Sequence, residues 1–263
     1  MALTSCVPVP PEMLPQAPAV GGAAQPAVTF GDLDAGGVSM NSLHFTLRGY
    51  NETDLRNLSS TAEDLYNKIG NDTGLYSFLA SGNFAIVVYR DQNEYLQKAH
   101  QPAGSRAISS GKTVYAYPGP DLAPELAHHL THAIFNAYME GKAVPLAWLN
   151  EGIAVREETD QMLYNDRADY LAAVAAQLRK EKQPFQQMMF FVPRTEADRR
   201  KDAWYQQVGS VVSYLMSQNG ATAFGGFLNA LRMGTDIDHA IADSYAARFR
   251  SLADLETAWR NAN

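Results

Sequence analysis

Cysteine is almost missing from this chain: Cys6 is the single one in 263 residues. One thiol excludes an intrachain disulfide. Basic clusters are missing as well. The net charge of −7 is spread along the sequence, which argues against nucleic acid and anionic membrane surfaces as partners. No apolar run is long enough to span a bilayer, and no internal repeat is present. What the chain does have is apolar side chain. At 46% hydrophobic it can fill a sizeable core in one domain or in two closely packed lobes.

Residues 7–27 carry Pro8, Pro10, Pro11, Pro15, Pro18 and Pro26 among Ala, Val and Gly. Such a segment has little to bury and behaves as a spacer. Just before it, Leu3-Thr4-Ser5-Cys6 resembles the signal-cleavage box of bacterial lipoproteins, although no positively charged and apolar region precedes it. That resemblance implies an extracytoplasmic protein, lipid-anchored through Cys6. The alternative is a free thiol in a disordered tail. Residues 1–41 are therefore expected to be a Pro/Ala-rich tail or linker, and 42–263 the folded domain.

Within the domain, Leu43, Phe45 and Leu47 alternate with polar residues, as in a half-buried strand. Leu55, Leu58, Ala62, Leu65 and Ile69 have helical spacing, in a helix expected over 51–69 and ending at Gly70. Asn83–Tyr89 reads as a central strand, and Asp91 as the cap of a short helix running to about His100. Residues 104–111 read as loop and 112–117 as a further strand. From Asp121, a candidate helix cap, the pattern is helical. One helix stops at Gly141 and the next opens at Pro145. Others cover roughly 166–180, 202–218, 221–232 and 237–246, and the last starts at Ser251. The reading is α+β: a small N-terminal α/β lobe with a mixed sheet (42–120), packed on a helical lobe (121–263).

His128 and His132 stand four residues apart, one turn along one helix face. This is the spacing at which a helix offers one metal ion two imidazole nitrogens. Glu151, on the following helix, is a candidate third ligand. A turn containing Gly141 and Pro145 would fold that helix back beside the first.

The pattern His-x-x-x-His, eighteen residues, then Glu within Trp148-Leu149-Asn150-Glu151-Gly152 resembles the gluzincin zinc metallopeptidases, and most of all the small bacterial peptidase MA-like domains. The resemblance implies a zincin-like fold with the metal site at the junction of the lobes, and Zn2+ held by His128, His132 and Glu151. It implies that Glu158, seven residues after Glu151, orients a ligating histidine from behind. It also implies that Tyr205, in Trp204-Tyr205-Gln-Gln-Val-Gly209, stabilises the oxyanion of the tetrahedral intermediate. The strand at 112–117 would be the sheet edge that pairs with an extended peptide.

One position departs from that family. Where its members have the Glu that takes a proton from the metal-bound water, this chain has His129. A neutral imidazole can accept a proton, so weak hydrolysis is one expectation; His129 as an additional metal ligand, with Glu125 partnering its ring, is another. General-base catalysis is worth roughly 10²–10⁴-fold. The implied function is a zinc-binding, metallopeptidase-like protein with weak or lost peptide hydrolysis. The alternative is a non-catalytic pseudopeptidase that binds peptides or proteins in the cell envelope. The sequence carries no Gly-x-Met-Glu-Asn motif ahead of the histidines, so exopeptidase activity is not expected. His44, His100 and His239 lack metal spacing and read as surface or strand residues. Met188-Met189-Phe190-Phe191 reads as core or a groove wall, and Glu157-Glu158 with Asp160 as an exposed acidic helix end.

Overall fold

The structure, a computed structural model, describes residues 30–140, 146–190, 199–200 and 202–263. Cys6 and the proline-rich segment lie outside them, as do Gly141, Pro145 and Phe191. The chain from Gly31 to Asn263 forms one compact unit of α+β type.

The sheet has five strands: β1 (Val38–Asn41), β2 (Phe45–Gly49), β3 (Phe84–Val88), β4 (Ala107–Ser110) and β5 (Thr113–Ala116), in the order β1-β2-β3-β5-β4. β2, β3 and β5 are parallel, and β1 and β4 are antiparallel additions at the two edges. Phe45, Leu47, Phe84, Ile86 and Val114 are buried, the alternation that fixes the register of a covered sheet.

Three sequence expectations are corrected here. The fold starts before residue 42: β1 is part of the sheet, and Gly31 is held by a bond from its amide to Lys98 O (2.9 Å) and one from the Tyr89 hydroxyl (2.8 Å). The stretch 104–111 contains β4, closed to β5 by a two-residue turn in which Gly111 takes φ 57°. Glycine at that position is what such a hairpin requires. β5 is consequently an inner strand, and the edge on that side is β4.

Helix α1 (Glu52–Thr73) is capped by Asn51, whose side chain accepts from the amides of Thr53 and Asp54. It buries Leu55, Leu58, Ala62, Leu65 and Ile69 against the sheet, as their spacing predicts. Each large apolar side chain so buried contributes roughly 1.5–3 kcal/mol. The helix runs through Gly70 and ends at Gly74, which is left-handed (φ 73°). A Cβ at Gly74 would meet Ala221 O at 2.1 Å, so glycine there also lets two elements touch. After β3 comes α2 (Gln92–Lys98), capped by Asp91 as expected.

Among the described residues seven further helices follow: α3 (Leu122–Met139), α4 (Ala147–Gln161), α5 (Tyr164–Lys180), α6 (Phe185–Phe190), α7 (Ala203–Arg232), α8 (Ile237–Tyr245) and α9 (Leu252–Ala262). α7 is broken at Asn219 and Gly220, the position where sequence separates two helices. Ser251 caps α9 by accepting from the Asp254 amide. The Met-Met-Phe stretch is the second half of α6, with Met188 buried and Phe190 exposed. α3 belongs to both apolar clusters of the molecule: Leu126, Leu130 and Ile134 pack with the sheet, Phe135, Tyr138 and Met139 with the later helices. No helix among the described residues is long and apolar enough to cross a membrane.

Candidate metal centre

α3 is buried along nearly its whole middle, so polar groups on it need partners within the protein. Its first residues show this. Asp121 makes no capping bond; its carboxylate pairs with Arg106 and with Arg200 (3.7 Å), which corrects the expected cap. His128 and His129 are fully buried and His132 nearly so.

α4 packs against α3 on one side and α7 on the other. Gly152 makes the second contact possible. A Cβ there would lie 2.3 Å from Val212 Cγ2 and 2.6 Å from Val208 O. The glycine beside Glu151 therefore sets how deep α4 sits, and with it the height of the Glu151 carboxylate.

His128, His132 and Glu151 come together. The two Nε2 atoms are 3.0 Å apart, and Glu151 Oε2 is 3.7 Å from His128 Nε2 and 3.5 Å from His132 Nε2. Ligand atoms about 2.05 Å from a shared tetrahedral ion lie about 3.3 Å apart, and the three separations bracket that value.

The other ring nitrogens fix the tautomers. His128 Nδ1 faces Glu158 Oε2 at 2.9 Å. Burial disfavours the ionised form of Glu158, but its bond to His128 and the charges of Arg199 and Arg200 hold its pKa below the usual carboxylate range. A carboxylate oxygen at that distance favours the tautomer with the hydrogen on Nδ1. His132 Nδ1 lies 3.0 Å from Asn150 Oδ1, while Asn150 Nδ2 is turned to Asn136 Oδ1 (3.4 Å). His132 Nδ1 therefore donates too. Both Nε2 atoms then present lone pairs toward the Glu151 oxygen. A direct bond between the rings would need Nε2–H on one of them, setting that ring's Nδ1 lone pair against an oxygen acceptor. Burial, reinforced by Arg199, pushes the His128 pKa down to about 3, so the ring is neutral, the state a metal ligand requires. Two imidazoles and a carboxylate make a zinc donor set, and the residues present fit that ion.

His129 is not among the converging atoms. Its ring centre is 5.1 Å from that of His128 and 5.9 Å from that of His132. It lies beside the Ala107 backbone on β4, and burial, with His128 beside it, drives its pKa well below the usual histidine value. Glu125 Oε2 is 3.9 Å from His129 Nε2, too far for a hydrogen bond, and pairs instead with Arg199. Tyr205 is buried in the helical core on α7, its ring edge-to-face on Trp204 at 5.0 Å. The three converging atoms come from α3 and α4 alone.

Glu157 and Glu158 are buried, not the exposed helix end their sequence suggests. Both have distant cationic partners. Glu158 binds Arg199 Nε (3.2 Å) and Arg200 Nε (2.6 Å). Glu157, with Asp72 and Asp160, surrounds Lys68 Nζ, 2.8 Å from Glu157 Oε2 and 3.1 Å from Asp160 Oδ2. Those three carboxylates have metal-like spacing, but an ammonium group already stands among them. Of the remaining histidines, His44 bonds Glu63 at 2.6 Å, and His239 pairs with Asp236 on the surface.

Sequence reasoning did not find Asn150, Arg199 or Arg200. Asn150 adjoins a candidate ligand, which is a usable signal. Arg199-Arg200 lies in a run of charges that reads as solvated. No protein-family model matches the chain, and no curated protein matches it.

Proposed function

We propose that this protein is a zinc-binding, metallopeptidase-like protein with a zincin-like fold, its metal centre lying where the sheet and the helical part meet. The supporting observation is the 3.0 Å approach of two imidazole Nε2 atoms whose Nδ1 atoms lie 2.9 Å and 3.0 Å from oxygens of Glu158 and Asn150, with a carboxylate completing the set. Zinc held there supplies an acidified water and a Lewis acid. His128, His132 and Glu151 hold the ion, and Glu158 and Asn150 orient the two rings.

Peptide hydrolysis by this site is weak. Proton transfer at the position after the first ligand falls to His129, a fully buried imidazole beside the β4 backbone. Its full burial, away from the converging ligand atoms, favours a second reading, a non-catalytic pseudopeptidase that keeps zinc and binds peptides or proteins in the cell envelope. Attachment through Cys6 rests on Leu3-Thr4-Ser5-Cys6 alone.

Zinc quantification together with peptide hydrolysis by the unaltered protein tests both. Stoichiometric zinc with slow, ligand-dependent cleavage fits the first reading; stoichiometric zinc without turnover fits the second. Absence of stoichiometric zinc, with no loss of stability in chelator, rejects both.

A further inference from the structure

Behind the histidines is a group of four charged side chains, three of them buried, that metal ligation alone does not call for. Glu125 on α3 and Glu158 on α4 face Arg199 and Arg200, which precede α7. Arg199 spans the two helices: its terminal nitrogen reaches Glu125 and its Nε reaches Glu158 Oε2 (3.2 Å). Arg200 Nε takes the other Glu158 oxygen at 2.6 Å, and its terminal nitrogens lie 3.5 Å from Glu125 and 3.7 Å from Asp121. Both Glu158 oxygens are thus pinned. Oε2 is shared between Arg199 and His128, and Oε1 belongs to Arg200.

We infer that Arg199 and Arg200 are positioning residues of the metal centre, acting through Glu158 on His128. This rests on the zinc reading above. A buried carboxylate turns about its last side-chain bond toward whichever donors surround it. With a guanidinium on each oxygen, Glu158 has one orientation, and that orientation aims Oε2 at His128 Nδ1. The aimed oxygen keeps the hydrogen on Nδ1, leaving the Nε2 lone pair toward Glu151 and His132. If Arg199 is lost, Glu158 swings toward Arg200, and His128 is free to turn or change tautomer. The same loss unties α3 from α4, which together carry all three ligands. Both effects weaken zinc binding, although neither arginine touches the ion.

The test is zinc affinity, measured by chelator competition on the full chain, for the unaltered protein, Arg199→Met, Arg200→Met, Glu158→Gln and the double variant Glu158→Gln/Arg199→Met. Circular dichroism and denaturant unfolding of the metal-free forms serve as the control for folding. Removing a group that orients a ligand typically costs roughly 10–100-fold in metal affinity, and Glu158→Gln is expected in that range. Arg199→Met and Arg200→Met are each expected to lose roughly tenfold, the lower end of that range. The double variant is expected to bind no more weakly than Glu158→Gln alone, because the arginine acts through the carboxylate. The Co2+-loaded Arg200→Met protein should also show a shifted visible spectrum, which a purely structural role would not produce. Should Arg199→Met fail to fold, Arg200→Met, at a more exposed position, carries the test. Unchanged affinity in the folded arginine variants, or losses that multiply in the double variant, overturns the inference while leaving the zinc reading intact. An unaltered protein that binds no zinc overturns both.

Discussion

His128 Nε2 and His132 Nε2 stand 3.0 Å apart on consecutive turns of one buried helix, and each ring has its other nitrogen engaged by an oxygen. The imidazoles are held by protein groups before any ion is considered, which is what a preformed metal site needs.

Asn150 should matter to zinc as Glu158 does. Replacing it with leucine removes the acceptor for His132 Nδ1 and is expected to weaken zinc affinity roughly 10–100-fold. Asn150→Asp keeps an oxygen there and should retain most of it. Competition titration of the two variants separates them; equal affinities would contradict a hydrogen-bonding role.

Gly152→Ala is expected to destabilise the fold by about 1–3 kcal/mol, the usual cost of overpacking. Its Cβ would overlap Val212 and the Val208 carbonyl, pushing α4 off α7 and moving Glu151 from the histidines. Denaturant unfolding and zinc titration should both report a loss. A variant as stable as the unaltered protein would show that the helices yield more easily than their contact suggests.

Glu157 makes stability depend on pH. Burial first, with Asp72 and Asp160 adding, raises its pKa to about 7 even though Lys68 is adjacent. Between the ordinary glutamate value and about 7 the folded chain holds a proton that the unfolded chain has released, so this contribution to stability falls as pH rises through that window. Arg156 and Arg167, both on Asp160, are the other charges around the cluster. In the presence of chelator, Glu157→Gln should gain stability relative to the unaltered protein between pH 5 and pH 8, a range chosen to span about 7. The opposite slope in urea unfolding would refute the assignment.

His129→Glu restores a carboxylate to the position next to the first ligand and is expected to raise peptide hydrolysis by roughly 10²-fold or more. The measurement is a rate on an unstructured peptide, with and without chelator. A folded, zinc-loaded variant no faster than the unaltered protein would place the defect in substrate access rather than in proton transfer.

The parts of the structure that were legible in the sequence are those set by local rules. Helical spacing displays the buried face of α1 and the His128–His132 pair, and Asn219-Gly220 marks the break in α7. β4 is hard to see in the sequence, since Ala107-Ile-Ser-Ser is short and its side chains mostly small, although Gly111 two residues from β5 is a hairpin signal. The burial of Glu157 and Glu158 was not legible. Their partners Lys68, Arg199 and Arg200 lie 89, 41 and 42 residues away, and a run of acidic side chains at a helix end gives no sign of such distant cations. The choice of edge strand failed for a related reason, since β4 pairs outside β5 only once the chain has folded.

The central claim is that His128, His132 and Glu151 hold one zinc ion. Metal content of the purified protein, read beside His128→Ala, His132→Ala and Glu151→Gln, tests it most directly. The prediction is one zinc per chain in the unaltered protein and loss of that zinc in each of the three variants, with the fold retained. Zinc absent from the unaltered protein, or equally present in the variants, would contradict it.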